Sequence, residues 1–240
     1  MQPNPTYTLF PLGDNAILID FGNELNEGIN KKLLSIFEKI KDQHLPGVLD
    51  VVPAYSSLTI HYDVMKILEK AGSKPVFDFI TNQVKKIIDE VKDISFEENR
   101  KISIPVCYDE EFGLDLSFLA NKKNLNIEDV IQLHTAKSYR VYMIGFLPGF
   151  AYMGEVDEKI QIPRKENPRT NVEAGSVGIA GSQTGIYPLQ SPGGWQIIGR
   201  TPLQIFDKGK TEPVLLQPGD EIKFFSINRD EFRNYEGGHS

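Results

Sequence analysis

Residues 175–202 read GSVGIAGSQTGIYPLQSPGGWQIIGRTP, and this stretch decides the fold of the chain around it. Short apolar runs typical of β-strands alternate with glycine and proline, and seven of the chain's 20 glycines fall here. Glycine weakens a strand because it orders more backbone entropy and packs no side chain. Such a density is typical of backbones that approach one another closely, bulge, or line a groove for a ligand or partner.

The upstream segment YMIGFLPGFAYM, at 142–153, has the same character, with two glycines and a proline among large apolar side chains. Taken together, residues 139–202 are predicted to form the walls and lip of a pocket. The alternative is a tightly turned β-core that is rich in glycine, and the residues alone leave both interpretations open.

The composition is that of an ordinary soluble globular protein, with 240 residues of which 40% are hydrophobic and 25% charged. A net charge of −7 and a pI near 5.2 argue against nucleic acid as a partner, because phosphates favour a basic surface. No apolar run has the length of a membrane span, and no secretory signal is recognisable. Cys107, the only cysteine, is expected to be buried and reduced. A cytoplasmic protein without a membrane partner is predicted.

The strand and helix patterns of the first part of the chain predict the order ββαββα. Asn26 is expected to cap the first helix, and the second helix is expected to start near Ser73. An open antiparallel sheet with two helices on one face satisfies this order. The charged segment Lys92–Arg100 is the predicted linker, so we expect an N-terminal domain at 1–98 and a second domain at 99–240.

The second domain is predicted to begin with helices and to continue with strands. Two short helices are expected at Leu114–Asn124 and Asn126–Ala136, followed by short strands and turns as far as Ile227. Regular short strands with glycine and proline between them favour a sandwich or a closed barrel. The polar tail, Asn228–Tyr235, is predicted to form one helical turn.

Motifs for a nucleotide, a metal or a catalytic triad do not stand out in this sequence. Gly209–Thr211 resembles the end of a phosphate-binding loop, but Gln204 occupies the position of the required upstream glycine. The four histidines lie far apart, and no cysteine pair or H-x-x-x-H spacing indicates zinc. No metal site is expected.

Three arginines lie beside the glycine-rich strands, namely Arg164, Arg169 and Arg200. A guanidinium held by a rigid proline or glycine turn is a good donor to a carboxylate or an amide oxygen. A surface ion pair with one of the 33 acidic residues is an equally open alternative for each of them.

Aromatic and amide side chains complete the candidate pocket. Trp195 follows two glycines that would let a ligand approach its ring, although a core anchor is the alternative. The other candidates for substrate binding combine apolar and hydrogen-bonding groups, as small-molecule sites usually do; they are Phe150, Tyr152, Gln183, Tyr187 and His134. A lone histidine at the end of a helix is more often structural than catalytic.

Three ordered motifs resemble the KipI/PxpB family. They are GFLPGFAYM at 145–153, the Pro-Arg pairs at 163–164 and 168–169, and the stretch at 175–202. The family comprises the B subunit of the bacterial ATP-dependent 5-oxoprolinase and the kinase A inhibitor of sporulating bacteria. It is also similar to one half of the carboxyltransferase region of urea carboxylase, often labelled allophanate hydrolase subunit 1. The resemblance covers essentially the whole chain.

This resemblance implies an α+β fold, with a small N-terminal α/β sandwich domain and a C-terminal cyclophilin-like β-barrel. It implies an obligate partner, the C subunit of 5-oxoprolinase, which carries a second cyclophilin-like unit, and a third partner, the A subunit. The two cyclophilin-like units would pack together with the glycine-rich walls near a shared cleft. ATP would be bound by or with the partner proteins.

The preferred hypothesis is one component of an enzyme that opens 5-oxo-L-proline to L-glutamate at the expense of ATP, inactive alone. Arg200, Arg169 or Arg164 would serve catalysis by orienting the substrate carboxylate or stabilising developing negative charge. The same resemblance leaves two alternatives, an inhibitor of a sensor histidine kinase and a protein associated with urea carboxylase or allophanate hydrolase. Fold alone does not separate them.

Overall fold

The computed structural model describes residues 6–22, 25–91 and 100–237. The chain divides into two compact units, residues 1–98 and 99–240, each with its own hydrophobic core. Of the predicted linker, residues 92–99 lie outside the described ranges.

The N-terminal unit is a four-stranded antiparallel sheet in the order β1-β2-β4-β3, with helices packed on one face. Its elements are β1 (Thr8–Pro11), β2 (Ala16–Asp20), α1 (Glu27–Gln43), β3 (Val48–Pro53), β4 (Ser57–Tyr62), α2 (Val64–Ala71) and α3 (Val76–Glu90).

Alternation along the two central strands places the core of this unit. Ile17 and Ile19 of β2, and Leu58 and Ile60 of β4, are fully buried with the helices, whereas the residues between them are only partly buried. Successive side chains of a strand point to opposite faces, so one face of the sheet carries the helices.

Three helices lie in the described part of this unit, so the prediction of two was wrong in number. α1 begins after the predicted cap, Asn26, whose side chain accepts a hydrogen bond from the first turn. α2 is capped by Asp63, whose carboxylate accepts two amide hydrogen bonds. Only Ile67 and Ala71 of α2 are buried, which is too short an apolar stripe to mark a helix in the sequence.

The C-terminal unit is built on a closed barrel of strands in the order β10-β7-β6-β13-β5-β12-β9. Its elements are β5 (Lys101–Cys107), α4 (Leu116–Lys123), α5 (Ile127–Thr135), β6 (Ser138–Ile144), β7 (Ala151–Gly154), a short 3-10 helix (Glu158–Ile160), β8 (Arg169–Val172), β9 (Ser176–Ala180), β10 (Gln183–Ile186), β11 (Ser191–Gly193), β12 (Gln196–Arg200), β13 (Glu221–Ile227) and α6 (Arg229–Gly237). The strands that pair in the barrel run antiparallel except β5 and β13, which are parallel. The predicted α+β fold with a barrel is confirmed, and the structure decides for a barrel over a sandwich.

The tail of the chain is a longer and better anchored helix than the single turn that its polar sequence predicted. Asn228 and Glu231 exchange amide-to-side-chain hydrogen bonds of 2.8 and 2.9 Å at the start of α6. Phe232 is 2% exposed, and its ring stacks on Phe112 with 4.4 Å between centroids. One buried aromatic residue therefore fixes a helix that is otherwise polar.

Replacing Phe232→Ala should lower the free energy of unfolding by about 3 kcal/mol, because it leaves a cavity beneath α6. Tyr235→Ala is the matched control, since Tyr235 lies on the same helix and is 41% exposed; it should cost less than about 0.5 kcal/mol. Urea denaturation measures both. Equal losses for the two variants would contradict the anchoring role of Phe232.

Candidate functional site

The glycines of the stretch at 175–202 allow aromatic rings to lie directly on the outer face of the barrel. Gly178 of β9 and Gly185 of β10 are paired across the two strands, on the face opposite the barrel core. A Cβ on Gly185 would meet the Ala151 carbonyl oxygen at 2.9 Å and the rings of Phe150 and Trp195 at 3.2 Å. The glycine density therefore reflects close packing of rings on backbone.

The rings form one connected set, called here the aromatic cluster: Phe146, Phe150, Tyr152, Tyr187 and Trp195. Phe150 is central, with its ring centroid 4.8 Å from Tyr152, 5.1 Å from Tyr187, 5.3 Å from Trp195 and 5.7 Å from Phe146. Phe150, Tyr187 and Trp195 are buried, Tyr152 is partly buried and Phe146 is 64% exposed. Four predicted pocket residues are thus brought together, and Phe146 joins them.

The two tyrosines of the cluster keep their protons at neutral pH. Burial raises the pKa of the Tyr187 phenol, against the opposing effects of the Trp195 amide and the Arg164 guanidinium. Burial likewise raises the pKa of Tyr152, and Arg164 again opposes the shift. Both phenols are therefore potential hydrogen-bond donors near a cation.

Arg164 is the predicted arginine that contacts the aromatic cluster. Its guanidinium carbon lies 6.0 Å from the centroid of the Trp195 ring, at the limit of a cation–π contact, and the side chain is exposed. Among the residues that the structure describes, no acidic group forms an ion pair with it. An exposed guanidinium without an acidic partner among the described residues suits a carboxylate.

The backbone on either side of Arg164 is held by hydrogen bonds. The Gln196 side chain donates to the Pro163 carbonyl at 3.1 Å, and the Lys165 amide donates to the Gly194 carbonyl at 2.7 Å. These contacts attach the segment at 163–169 to the start of β12, directly beside Trp195.

Arg169 is engaged in a buried ion pair with Asp115, a residue that the sequence analysis missed. Both terminal nitrogens of Arg169 donate to the Asp115 carboxylate at 2.7 Å, Lys165 donates at 3.1 Å, and the Ile197 amide donates at 2.7 Å. Asp115 is 4% exposed. Burial by itself would raise the pKa of this carboxyl, but the hydrogen bonds from Arg169, Ile197 and Lys165 hold it below its usual value. The sequence carries no signal for this pairing, because the partners are 54 residues apart.

Arg200 lies at the end of β12 and is tied to the backbone. Its Nε donates to the Ala174 carbonyl at 2.8 Å, beside Gly175, whose φ is +82°. A side chain at Gly175 would collide with the Thr201 carbonyl oxygen, so a glycine is required at this turn.

His134 lies in the barrel core, and the structure does not bring it to the aromatic cluster. Its Nδ1 is 2.8 Å from the Tyr108 hydroxyl and its Nε2 is 2.9 Å from the Thr184 hydroxyl. Burial lowers the pKa of His134 to about 3, so the ring is neutral. Thr184 precedes Gly185 on β10 and points to the opposite face, which separates the histidine from the rings.

Gln183, the remaining predicted residue, begins β10 and is partly buried. It pairs with Gly154 of β7 and Ala180 of β9.

In the described part of the chain, no group of three or more His, Cys, Asp or Glu side chains is arranged to hold a metal ion. None of the helices described there is long and apolar enough to span a bilayer.

Gly185→Ala should force the Phe150 and Trp195 rings away from β10, because its Cβ would lie within 3.2 Å of both. A loss of about 1–3 kcal/mol in the free energy of unfolding is expected from such overpacking, together with a shift in the fluorescence of the single tryptophan. The control is Gly194→Ala, whose Cβ would meet nothing closer than 3.6 Å. Unchanged tryptophan fluorescence and an unchanged free energy of unfolding in Gly185→Ala would contradict close packing of the Phe150 and Trp195 rings on β10.

Asp115→Asn should destabilise the chain at neutral pH by about 3 kcal/mol, because it leaves Arg169 without its anion. The folded pKa of Asp115 lies below its unfolded value, so its contribution is present above the unfolded value and disappears as pH falls through the folded one. The difference between the two proteins should therefore shrink in acid.

Urea denaturation as a function of pH measures this difference. Glu166→Gln, an exposed change on the same segment, is the control and should show no such pattern. If the free energies of unfolding of Asp115→Asn and the parent differ by the same amount down to strongly acidic pH, the ionised Asp115 carboxylate is not the source of the lost stability.

Comparison with known proteins places the chain in a family. The family model described as the carboxyltransferase domain, subdomain C and D, matches residues 7–216. The B subunit of 5-oxoprolinase from Bacillus subtilis is 43% identical over 234 residues, which cover 96% of this chain and 97% of that protein. The B subunit of 5-oxoprolinase from Escherichia coli O157:H7 is 36% identical over 89% of this chain and 93% of its own length.

Solved structures agree with this assignment. The crystal structure of TTHA0988 superposes with a TM-score of 0.76 at 36% identity over 89% of this chain, which spans only 40% of that longer chain. PH0987 from Pyrococcus horikoshii is 44% identical, with a TM-score of 0.54 over 94% of this chain and 100% of its own. The Kluyveromyces lactis urea amidolyase shares the fold, with a TM-score of 0.73 at 21% identity. The relatives matched over nearly their whole length include B subunits of 5-oxoprolinase, as the resemblance to the KipI/PxpB family predicts. The chain therefore belongs to the family of the carboxyltransferase domain, subdomain C and D.

Proposed function

We propose that this chain is the B subunit of an ATP-dependent 5-oxoprolinase and works with the A and C subunits to hydrolyse 5-oxo-L-proline to L-glutamate. The observation that carries the proposal is the 43% identity to a protein of that name over nearly the full length of both chains. The long relative TTHA0988 supports the need for a partner, since more than half of that chain lies outside the match.

The proposed reaction needs an activated lactam. ATP, bound by or with the partner proteins, transfers its terminal phosphoryl group to the lactam oxygen. Water attacks the activated ring carbon, the carbon–nitrogen bond breaks to release the amine, and a second water displaces phosphate. The substrate carboxylate does not react, so it is the group by which the substrate can be held throughout.

Arg164 is the best supported of the three predicted arginines for holding that carboxylate. Arg169 is bound to a buried aspartate, and Arg200 donates to a backbone carbonyl. Arg164 is exposed over Trp195, near the Tyr152 and Tyr187 phenols that it influences electrostatically. We assign the partly buried Tyr152 to contact with the substrate, while the buried Phe150, Tyr187 and Trp195 support the site from beneath. Neither Gln183 nor His134 receives a role from its position.

Reconstitution tests the proposal directly. The chain is mixed with the A and C subunits from its host, and ATP-dependent release of glutamate from 5-oxoproline is measured, with urea as the competing substrate. Glutamate formation that requires all three proteins supports the enzyme. A pull-down from the host that recovers a histidine kinase or a biotin-dependent carboxylase in place of these two partners, with no glutamate formed, would favour the alternatives instead.

In the reconstituted enzyme, Arg164→Gln should lower kcat/KM for 5-oxoproline by about 10- to 100-fold, mainly through a rise in KM, because the carboxylate that Arg164 holds does not react. Steady-state kinetics separates the two parameters. A rise in KM with kcat unchanged would indicate that Arg164 binds the carboxylate already in the ground state. Arg233→Gln is the control, since Arg233 is an exposed arginine on α6. Equal kinetics for the two variants would exclude Arg164 from the site.

A further inference from the structure

The turn between β6 and β7 holds Phe146 in a conformation that its residue type disfavours. Its φ is +67°, and the other non-glycine residues with positive φ in the described ranges, His44 and Asn124, cap helix C-termini, where this is common. Phe146 caps no helix. A bulky residue in the left-handed region is strained, whereas glycine would adopt the same backbone freely.

The turn is nevertheless well ordered by its own hydrogen bonds. The Gly145 amide donates to the Phe150 carbonyl at 3.0 Å, the Leu147 amide to the Gly145 carbonyl at 2.8 Å, and the Phe150 amide to the Leu147 carbonyl at 3.0 Å. The Phe146 ring meets Phe150 edge-on, with the planes at 90°. The turn thus holds one aromatic ring in a fixed direction.

That ring is the most exposed aromatic side chain in the described part of the protein, at 64%. Its single ring contact, with Phe150, does not account for a strained backbone, since a glycine here would relieve the strain and leave the rest of the aromatic cluster in place. Strained backbone of this kind clusters at functional sites, where the surrounding structure holds it in place. Small-molecule sites are concave, so an exposed turn residue suits a macromolecular partner better than a metabolite.

The aromatic cluster connects Phe146 to Arg164. Phe146 touches Phe150, Phe150 touches Trp195, and Arg164 lies over Trp195. The exposed end at Phe146 is an aromatic ring, and aromatic residues are enriched at protein interfaces. A buried base beneath this ring reduces the entropy lost on binding.

We infer that Phe146 is the anchor by which this chain docks the protein that supplies the remainder of the long relative. This rests on the proposed function. TTHA0988 carries a region similar to this chain joined to a larger remainder, and this covalent union favours a counterpart of that remainder as the partner. Phe146 inserts into an apolar pocket of the partner, while Arg164, at the other end of the aromatic cluster, remains available to the substrate carboxylate.

The test is titration calorimetry of this chain against the purified host protein that corresponds to the unmatched part of TTHA0988. Phe146→Gly should raise the dissociation constant at least about tenfold. Its melting temperature should stay within about 2 °C of the parent, because relief of backbone strain offsets the lost ring contact. Phe118→Ala is the matched control, a phenylalanine 49% exposed on α4, and should bind like the parent.

The inference is overturned if Phe146→Gly binds within about twofold of the parent, if Phe118→Ala loses as much affinity, or if the parent does not bind this protein at all. Its failure is distinct from that of the proposed function. Turnover by the complete mixture of proteins reports on the enzyme, while the affinity ratio of Phe146→Gly to the parent reports on docking whatever reaction the complex performs.

Discussion

The buried carboxylate of Asp115 is the interaction on which the candidate site depends. It joins three parts of the chain that are distant in sequence: the start of α4, the β12 backbone at Ile197, and the segment at 163–169. A buried carboxylate is unfavourable unless cations and amides compensate it, and here Arg169, Lys165 and Ile197 do so. The compensation fixes the segment that presents Arg164 to solvent.

Close packing of rings on backbone is the second constraint. Gly178 and Gly185 leave two paired positions on the outer face of β9 and β10 without side chains, so Trp195 and Phe150 lie against the strands there. The entropy that glycine costs in a strand is offset by burial of large aromatic surfaces. The glycines therefore belong to a tightly packed layer, the second interpretation of the stretch, and the pocket remains a prediction.

Family membership and site chemistry carry different information for this protein. The fold extends to urea amidolyase at 21% identity, where it indicates architecture alone. The function proposed for the chain rests on relatives of 36–43% identity matched along nearly their whole length. The cation over Trp195 and the strained Phe146 are features of the chain itself, and they divide the surface between a substrate carboxylate and a partner protein.

Periodicity, caps and glycine spacing are local signals, and they predicted the order ββαββα, the two short helices of the second domain and the grouping of Phe150, Tyr152, Tyr187 and Trp195. The α+β fold with a barrel was implied by the resemblance to the KipI/PxpB family, since local signals alone left a sandwich open. It did not reveal α2, the anchored tail helix or Asp115, since each depends on which distant surface a few side chains meet. The choice among the three arginines was likewise decided only by tertiary structure. A guanidinium is free or engaged according to the anion that the fold brings to it, and for Arg169 that anion lies 54 residues away.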